Sequence, residues 1–190
     1  MANTFIADEV FENIGPDKKV LPTATYEDCV FKQCNLAEAN LSNYQFIECR
    51  FEQCDLSMCN LTNAVFRDVS FRECKMVGLQ FNRCSQLLLS FNFFDCMLDY
   101  ASFFDLELPK TTYKNCTLIE VDFSGTNLKE ANFEESDLNG AVFDESNLQK
   151  ANLRDARNYT IDPEKNTITQ ASFALDGISG LLTKYRIKIE

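Results

Sequence analysis

The chain has 190 residues, 45% of them hydrophobic and 25% charged, which is enough for one domain with a continuous core. Its net charge of −11 argues against direct binding of nucleic acid or of an anionic membrane, because both need a basic surface. Residues 1–15 carry no secretion signal, and no apolar stretch approaches the ~20 residues of a membrane span, so we expect a cytoplasmic protein.

Residues 1–24 are predicted to form an irregular N-terminal coil or cap. Ile6, Phe11 and Leu21 roughly keep the spacing of the repeats that follow. The segment Gly15-Pro16-Asp17 has the composition of a turn, so the first coil is expected to be imperfect.

Residues 25–157 repeat every five positions. From Phe31 onward a large apolar residue recurs at this spacing, and a small residue precedes most of them by two positions. A period of five fits neither a helix nor a plain strand, but it fits a short strand followed by a corner. Residues two apart in a strand point to the same side, so the small and the large residue both point inward.

The length of one coil follows from the residues that would stack on each other. At a spacing of 20, Phe31, Phe51 and Phe71 coincide, as do Leu36 and Leu56, whereas a spacing of 15 would place leucine on phenylalanine. The sequence therefore predicts a β-solenoid with four repeats per coil. Two extra residues break this register between 82 and 92, and we expect them to form a bulge or small loop.

Nine cysteines occupy the small inward position: Cys29, Cys34, Cys49, Cys54, Cys59, Cys74, Cys84, Cys96 and Cys116. Neighbouring cysteines are five residues apart or more, whereas zinc sites favour pairs two to four apart, usually with histidine. Packing in a narrow core is the favoured interpretation, with metal or redox chemistry as the alternative. We expect no metal and no cofactor.

Residues 158–190 are predicted to form a last coil followed by a short C-terminal α-helix. Apolar residues at helical spacing mark the helix, namely Leu175, Ile178, Leu181, Leu182 and Tyr185. These residues are candidate dimer contacts, because an apolar helix face beyond the cap needs a partner. The alternative is a cap that folds back and hides only the last open edge.

Acidic residues form columns on the outside. One column consists of Asp28, Glu48 and Asp68, and a second contains Glu73, Asp95, Glu135 and Asp155. These columns are a candidate binding face, or else a solvated surface that keeps the protein soluble. A second candidate contact surface lies at the register break, where Leu87, Leu88, Leu89 and Phe94 interrupt the regular wall.

The motifs Cys-Asn-Leu, Ala-Asn-Phe and Ser-Asp-Leu, repeated through residues 25–157, resemble the pentapeptide-repeat family. The resemblance implies an all-β, right-handed quadrilateral β-helix. It also suggests the quinolone-resistance (Qnr) and MfpA-like branch, whose members mimic duplex DNA, bind DNA gyrase and dimerise through a C-terminal helix. The chain departs from the Qnr pattern because it has no projecting loops, and this weakens the case for protection of gyrase from quinolones.

Two functions follow as hypotheses. The first is a DNA-mimicking homodimer that binds DNA gyrase or topoisomerase IV. The second is an interaction scaffold for another protein partner, with no effect on gyrase. An enzyme is not expected, because a filled solenoid offers no enclosed pocket and the chain lacks histidine, a glycine-rich phosphate loop and metal-ligand spacing.

Overall fold

The computed structural model describes residues 4–15 and 21–188, which form an all-β solenoid of about eight turns. The regular elements are short because each spans one side of a coil. The strands are β1 (Thr4–Ala7), β2 (Val10–Glu12), β3 (Ala24–Glu27), β4 (Val30–Lys32), β5 (Gln45–Ile47), β6 (Arg50–Glu52), β7 (Val65–Arg67), β8 (Val69–Arg72), β9 (Phe91–Phe94), β10 (Tyr113–Lys114), β11 (Asn152–Leu153) and β12 (Ser172–Phe173).

The strands pair in parallel with the strands of the neighbouring coils, which defines four faces. The first face carries β1, β3, β5 and β7, and the second carries β2, β4, β6, β8, β9 and β10. Isolated parallel bridges build the third face, beginning with Asn35–Asp55, and the fourth, beginning with Asn40–Asn60. Each face ends in a corner. The corners that follow the first face in successive coils are called the first edge, and the second, third and fourth edges are named in the same way.

The corner residue of most repeats adopts a left-handed conformation. Its φ angle lies between 50 and 72°, and in most cases it is not glycine. This conformation costs roughly 1–2 kcal/mol for an ordinary residue. The corner amide still finds a partner in the next coil, as when Asp28 N–H donates to the Ile47 carbonyl at 3.1 Å. The hydrogen-bond ladders and the core must therefore offset the strain of many corners.

The core consists of side chains stacked along the axis. Phe31, Phe51 and Phe71 stack with ring centroids 4.6 and 5.1 Å apart, as the 20-residue spacing predicts. A second stack joins Phe103 to Phe123 at 5.2 Å, and rings of neighbouring stacks meet edge to face. The prediction of an all-β solenoid is confirmed, with the interior filled by these columns.

The register changes by two residues on the first face of the fifth coil, counted from β1. Arg83 still accepts a hydrogen bond from Asn63, 20 residues earlier, whereas Phe91 pairs with Val69 at a spacing of 22. Phe91 occupies a position that elsewhere holds a small residue, and its ring lies 5.2 Å from that of Phe81. The bulge thus leaves room in the core that the Phe91 ring fills.

The predicted C-terminal α-helix is wrong. Leu175, Ile178, Leu181, Leu182 and Tyr185 lie in or beside two 3-10 turns, Ile178–Leu181 and Thr183–Tyr185. Gly177 and Gly180 pack directly against Tyr159, where a larger residue would clash. Glycine weakens a helix, and the Ile161 N–H donates to the Gly180 carbonyl at 3.1 Å. Packing against the last coil therefore sets the shape of this cap.

Candidate functional site

The first edge carries an uninterrupted acidic column over the N-terminal coils. Asp28, Glu48 and Asp68 are exposed corner residues with φ angles of 51, 54 and 53°. None of them forms an ion pair with another described residue. Asp8 occupies the same corner one coil earlier, with a φ of 56°. Sequence reasoning missed Asp8, although its spacing of 20 from Asp28 was a usable signal.

The acidic column of the first edge ends at the register break. The corner that follows Asp68 is Leu88, and the next corners are Lys110, Glu130 and Lys150. The sign of the charge therefore alternates on the C-terminal half of this edge. The run of consecutive acids without an ion pair therefore belongs to the N-terminal half of the first edge.

The second edge is acidic too, but neighbouring amides and one guanidinium contact its carboxylates. Gln53 donates to Glu73 at 2.8 Å, and Asn115 donates to Asp95 at 2.8 Å. Arg72 lies 3.9 Å from the Asp95 carboxylate. The remaining predicted acids, Glu135 and Asp155, are exposed on the same edge and form no ion pair in the described part of the chain.

The second face, which lies between the two acidic edges, carries alternating charges. Lys32 pairs with Glu52 at 3.5 Å, and Lys114 pairs with Glu134 at 3.2 Å. Phe94 interrupts this ladder, and the Arg72 guanidinium lies 5.0 Å from its ring centroid. Positive side chains therefore divide the two predicted acidic columns, so the columns do not form one continuous acidic face.

The predicted patch at the register break is divided in the structure. Leu87 and Leu88 are 75% and 64% exposed, whereas Leu89 is partly buried against the core. Phe94 lies one face away beneath Arg72. Only Leu87 and Leu88 form an exposed apolar pair at the bulge.

The predicted dimer contacts lie at the C-terminal end. Leu175 is 87% exposed, and Ile178 and Tyr185 are exposed as well, whereas Leu181 packs against the core. The Tyr185 hydroxyl donates to Glu164 at 2.9 Å, which fixes that ring at the end of the solenoid. This end therefore presents several apolar side chains to solvent.

Lys184 ties the cap to the last coil. Its ammonium group lies 2.6 Å from Asp162 and 2.7 Å from Glu164. Its hydrogen bonds lower the pKa of both carboxyl groups. The cap is thus held by a three-residue ionic contact as well as by apolar packing.

All nine cysteines are buried and free. Five of them stack in one column along the third face, where the Cys34 N–H donates to the Cys54 sulfur at 3.4 Å. Burial raises the pKa of the Cys59 thiol to about 12. In residues 4–15 and 21–188, no three His, Cys, Asp or Glu side chains are grouped to hold a metal ion. The same residues include no helix with the length and apolarity of a membrane span.

The repeats and the four-faced solenoid define a class of repeat protein, and family comparisons identify it. The model of the "Pentapeptide repeat region" matches residues 24–103, and that of "Pentapeptide repeats (8 copies)" matches residues 116–155. Together the two matches cover more than half of the chain. The chain therefore belongs to the pentapeptide-repeat family. No curated protein sequence matches significantly.

Two solved structures share this architecture. Trypsin-treated QnrB1, a plasmid-mediated fluoroquinolone resistance protein, superposes with a TM-score of 0.63 at 18% identity, covering 99% of this chain and 98% of the other. HetL, involved in heterocyst differentiation regulation in the cyanobacterium Nostoc sp. strain PCC 7120, gives a TM-score of 0.58 at 19% identity, covering 90% and 88%. The superpositions establish a shared fold and, at these low identities, nothing beyond the fold.

Proposed function

We propose that this is a non-enzymatic, cytoplasmic binding protein that places its acidic first edge in the DNA-binding groove of a type II topoisomerase such as DNA gyrase or topoisomerase IV. The observation that carries the proposal is the column Asp28, Glu48 and Asp68, extended by Asp8, in which no carboxylate forms an ion pair with a described residue. An unpaired and regularly spaced row of carboxylates is complementary to a groove lined with Lys and Arg.

The spacing of the column supports mimicry of one DNA strand. Neighbouring coils lie about 4.8 Å apart, and a B-DNA strand advances roughly 3.4 Å per phosphate. The four acids therefore supply about 70% of the linear charge density of one strand, over a length of roughly 14 Å. A stripe of this length imitates only a short stretch of DNA, so it would fill part of a DNA-binding groove.

A homodimer would extend the contact. Exposed Leu175, Ile178 and Tyr185 form an apolar end on the C-terminal cap, and covering such an end is a common reason for association. Joining two caps end to end would place one acidic edge at each outer end of the dimer. Glutamate substitution of Leu175 and Ile178 should then give a monomer in analytical ultracentrifugation.

The test is a supercoiling assay with purified gyrase, run with and without a fluoroquinolone. We expect the protein to inhibit supercoiling or to change drug sensitivity, and the triple reversal D28K/E48K/D68K to lose the effect. The control D105K/E120K/E145K changes the net charge equally at exposed left-handed corners of the third and fourth edges. Equal loss in both variants would refute a specific first-edge contact, and no effect of the unaltered protein would refute the gyrase proposal.

An interaction scaffold is the second candidate function. Leu87 and Leu88 favour it, because two adjacent exposed leucines on a bulge are suited to an apolar contact. In this case gyrase is unaffected, and L87D/L88D abolishes capture of the partner whereas D28K/E48K/D68K does not.

A further inference from the structure

The third face carries a compact apolar surface that the proposed function does not use. On its edge, Met58 and Tyr100 are 62% and 55% exposed, and on the face Met97 is 45% exposed. Gly78 lies between Met58 and Tyr100 on the same edge, and the Met58 thioether occupies the space where a Gly78 side chain would be. Three consecutive coils thus contribute to one surface.

A carboxylate lies in the middle of this apolar surface. Asp99 is half-buried between Met97 and Tyr100, and in the neighbouring coils its position is taken by Val77 and Ile119. The Ile119 N–H donates to the Asp99 carboxylate at 3.1 Å, which holds that carboxylate in the plane of the face. Asp99 has no cationic partner among the described residues.

Acidic residues border the same surface on both sides. Glu38 and Glu120 lie on the third edge above and below it. On the second edge lie Glu135, which forms no ion pair with a described residue, and Asp95, which Arg72 approaches at 3.9 Å. The nearby Lys75 forms an ion pair with Asp55 at 3.5 Å. The surface therefore has an apolar centre, one central carboxylate and two acidic margins.

We propose that the third face docks a basic amphipathic helix of a protein partner, with Asp99 receiving a Lys or Arg within the apolar stripe of that helix. One face is about three extended residues or roughly 10 Å wide, which matches the ~10 Å diameter of a helix. Lys and Arg on both sides of the stripe would pair with the acidic margins. A polyanion, an anionic lipid surface or a second copy of this acidic chain would meet repulsion instead.

This contact is independent of the proposed function, because the third edge and the first edge are diagonally opposite corners of each coil. One protein could therefore bind a basic groove with its first edge and a basic helix with its third face. Loss of one contact leaves the other in place, so the two proposals can fail separately.

Methyl NMR on the full chain gives a direct test, with an internal control. The protein is labelled with 13C-methyl methionine and titrated with a synthetic helix that carries a leucine stripe, a central Arg and flanking Lys residues. We expect saturable shifts of Met58 and Met97 and none of Met76, which is fully buried in the core. A peptide of scrambled order should not shift them.

Matched substitutions locate the contact. D99N and Y100N should each weaken peptide binding at least about fivefold, because each removes a central contact, and asparagine is accepted at left-handed corners such as that of Tyr100. V142N, at an exposed apolar residue of the fourth face, should leave binding unchanged, as should D28K/E48K/D68K. The proposal is overturned if Met58 and Met97 do not shift at about 1 mM peptide, if the scrambled peptide binds equally, or if V142N weakens binding as much as Y100N.

Discussion

Glu48 lies on the first edge between Asp28 and Asp68, one coil away on either side, and E48Q removes its charge with little change of shape. Coils are about 4.8 Å apart, so each neighbouring pair of carboxylates repels by roughly 0.9 kcal/mol in water. Two neighbours together give about 1.7 kcal/mol at the dielectric constant of water, which the cations Arg50 and Arg67 reduce. We expect E48Q to raise the free energy of unfolding by about 1 kcal/mol at low salt.

Glutamine should fit the left-handed corner at position 48 without new strain, because Gln33 and Gln53 hold φ angles of 50 and 55° at equivalent corners. Urea unfolding at about 10 mM and about 1 M salt gives the measurement. The gain should disappear in 1 M salt, where the screening length falls to roughly 3 Å.

The control is E52Q, which removes an acid that Lys32 neutralises at 3.5 Å. We expect this change to be neutral, or to destabilise by less than about 1 kcal/mol, as is typical of an exposed ion pair. If E48Q gave no gain at low salt, or if its gain persisted in 1 M salt, repulsion along the first edge would be refuted. If E48Q gained stability and lost partner binding, the acidic side chain of Glu48 would serve binding at a cost in stability.

Three further predictions concern the core, the thiols and the cap. F51A should lower the free energy of unfolding by about 3–5 kcal/mol in urea titrations, because Phe51 is fully buried between stacked rings, whereas F104A, at a half-exposed ring, should cost less than about 1 kcal/mol. At pH 8 the nine buried cysteines should react with a disulfide reagent only after unfolding, because burial keeps the reagent from the sulfur atoms and, at Cys59, raises the pKa of the thiol to about 12. The Lys184 contact lowers the pKa of Asp162, so its stabilisation is present above the unfolded pKa and is lost as the pH falls below about 4; K184M should flatten that part of the curve of stability against pH.

The sequence alone predicted the solenoid because the five-residue period describes the side chains that point into the core. Phe31, Phe51 and Phe71 stack as expected, because the 20-residue spacing that relates them in the sequence is also the length of one coil. The cap was not predictable in the same way. A helical pattern at Leu175 and Ile178 describes only neighbours along the chain, whereas the packing of Gly177 on Tyr159 depends on the last coil.

The outer surface was predictable only in part. The acidic columns follow from the period, but the amide contact of Gln53 with Glu73 and the pairing of Arg72 with Asp95 need side-chain positions. The third-face surface was missed because Met58, Met97 and Tyr100 occupy outward positions, whereas the five-residue period constrains only the inward residues.

The break in the register has a structural consequence that links these surfaces. Each regular face contributes a small and a large inward residue, and the Phe91 ring fills the core where the first face bulges. Because the core remains filled, the hydrogen-bond ladders of the other three faces continue past the bulge, and parallel bridging on the first face resumes with Glu107–Asn127. The acidic column ends at that bulge on the first edge, while the apolar surface around Asp99 spans the same coil on the third face. A local insertion can therefore end one surface without disturbing another. The backbone pairing between coils preserves the register, but it does not determine which side chains occupy the outward positions.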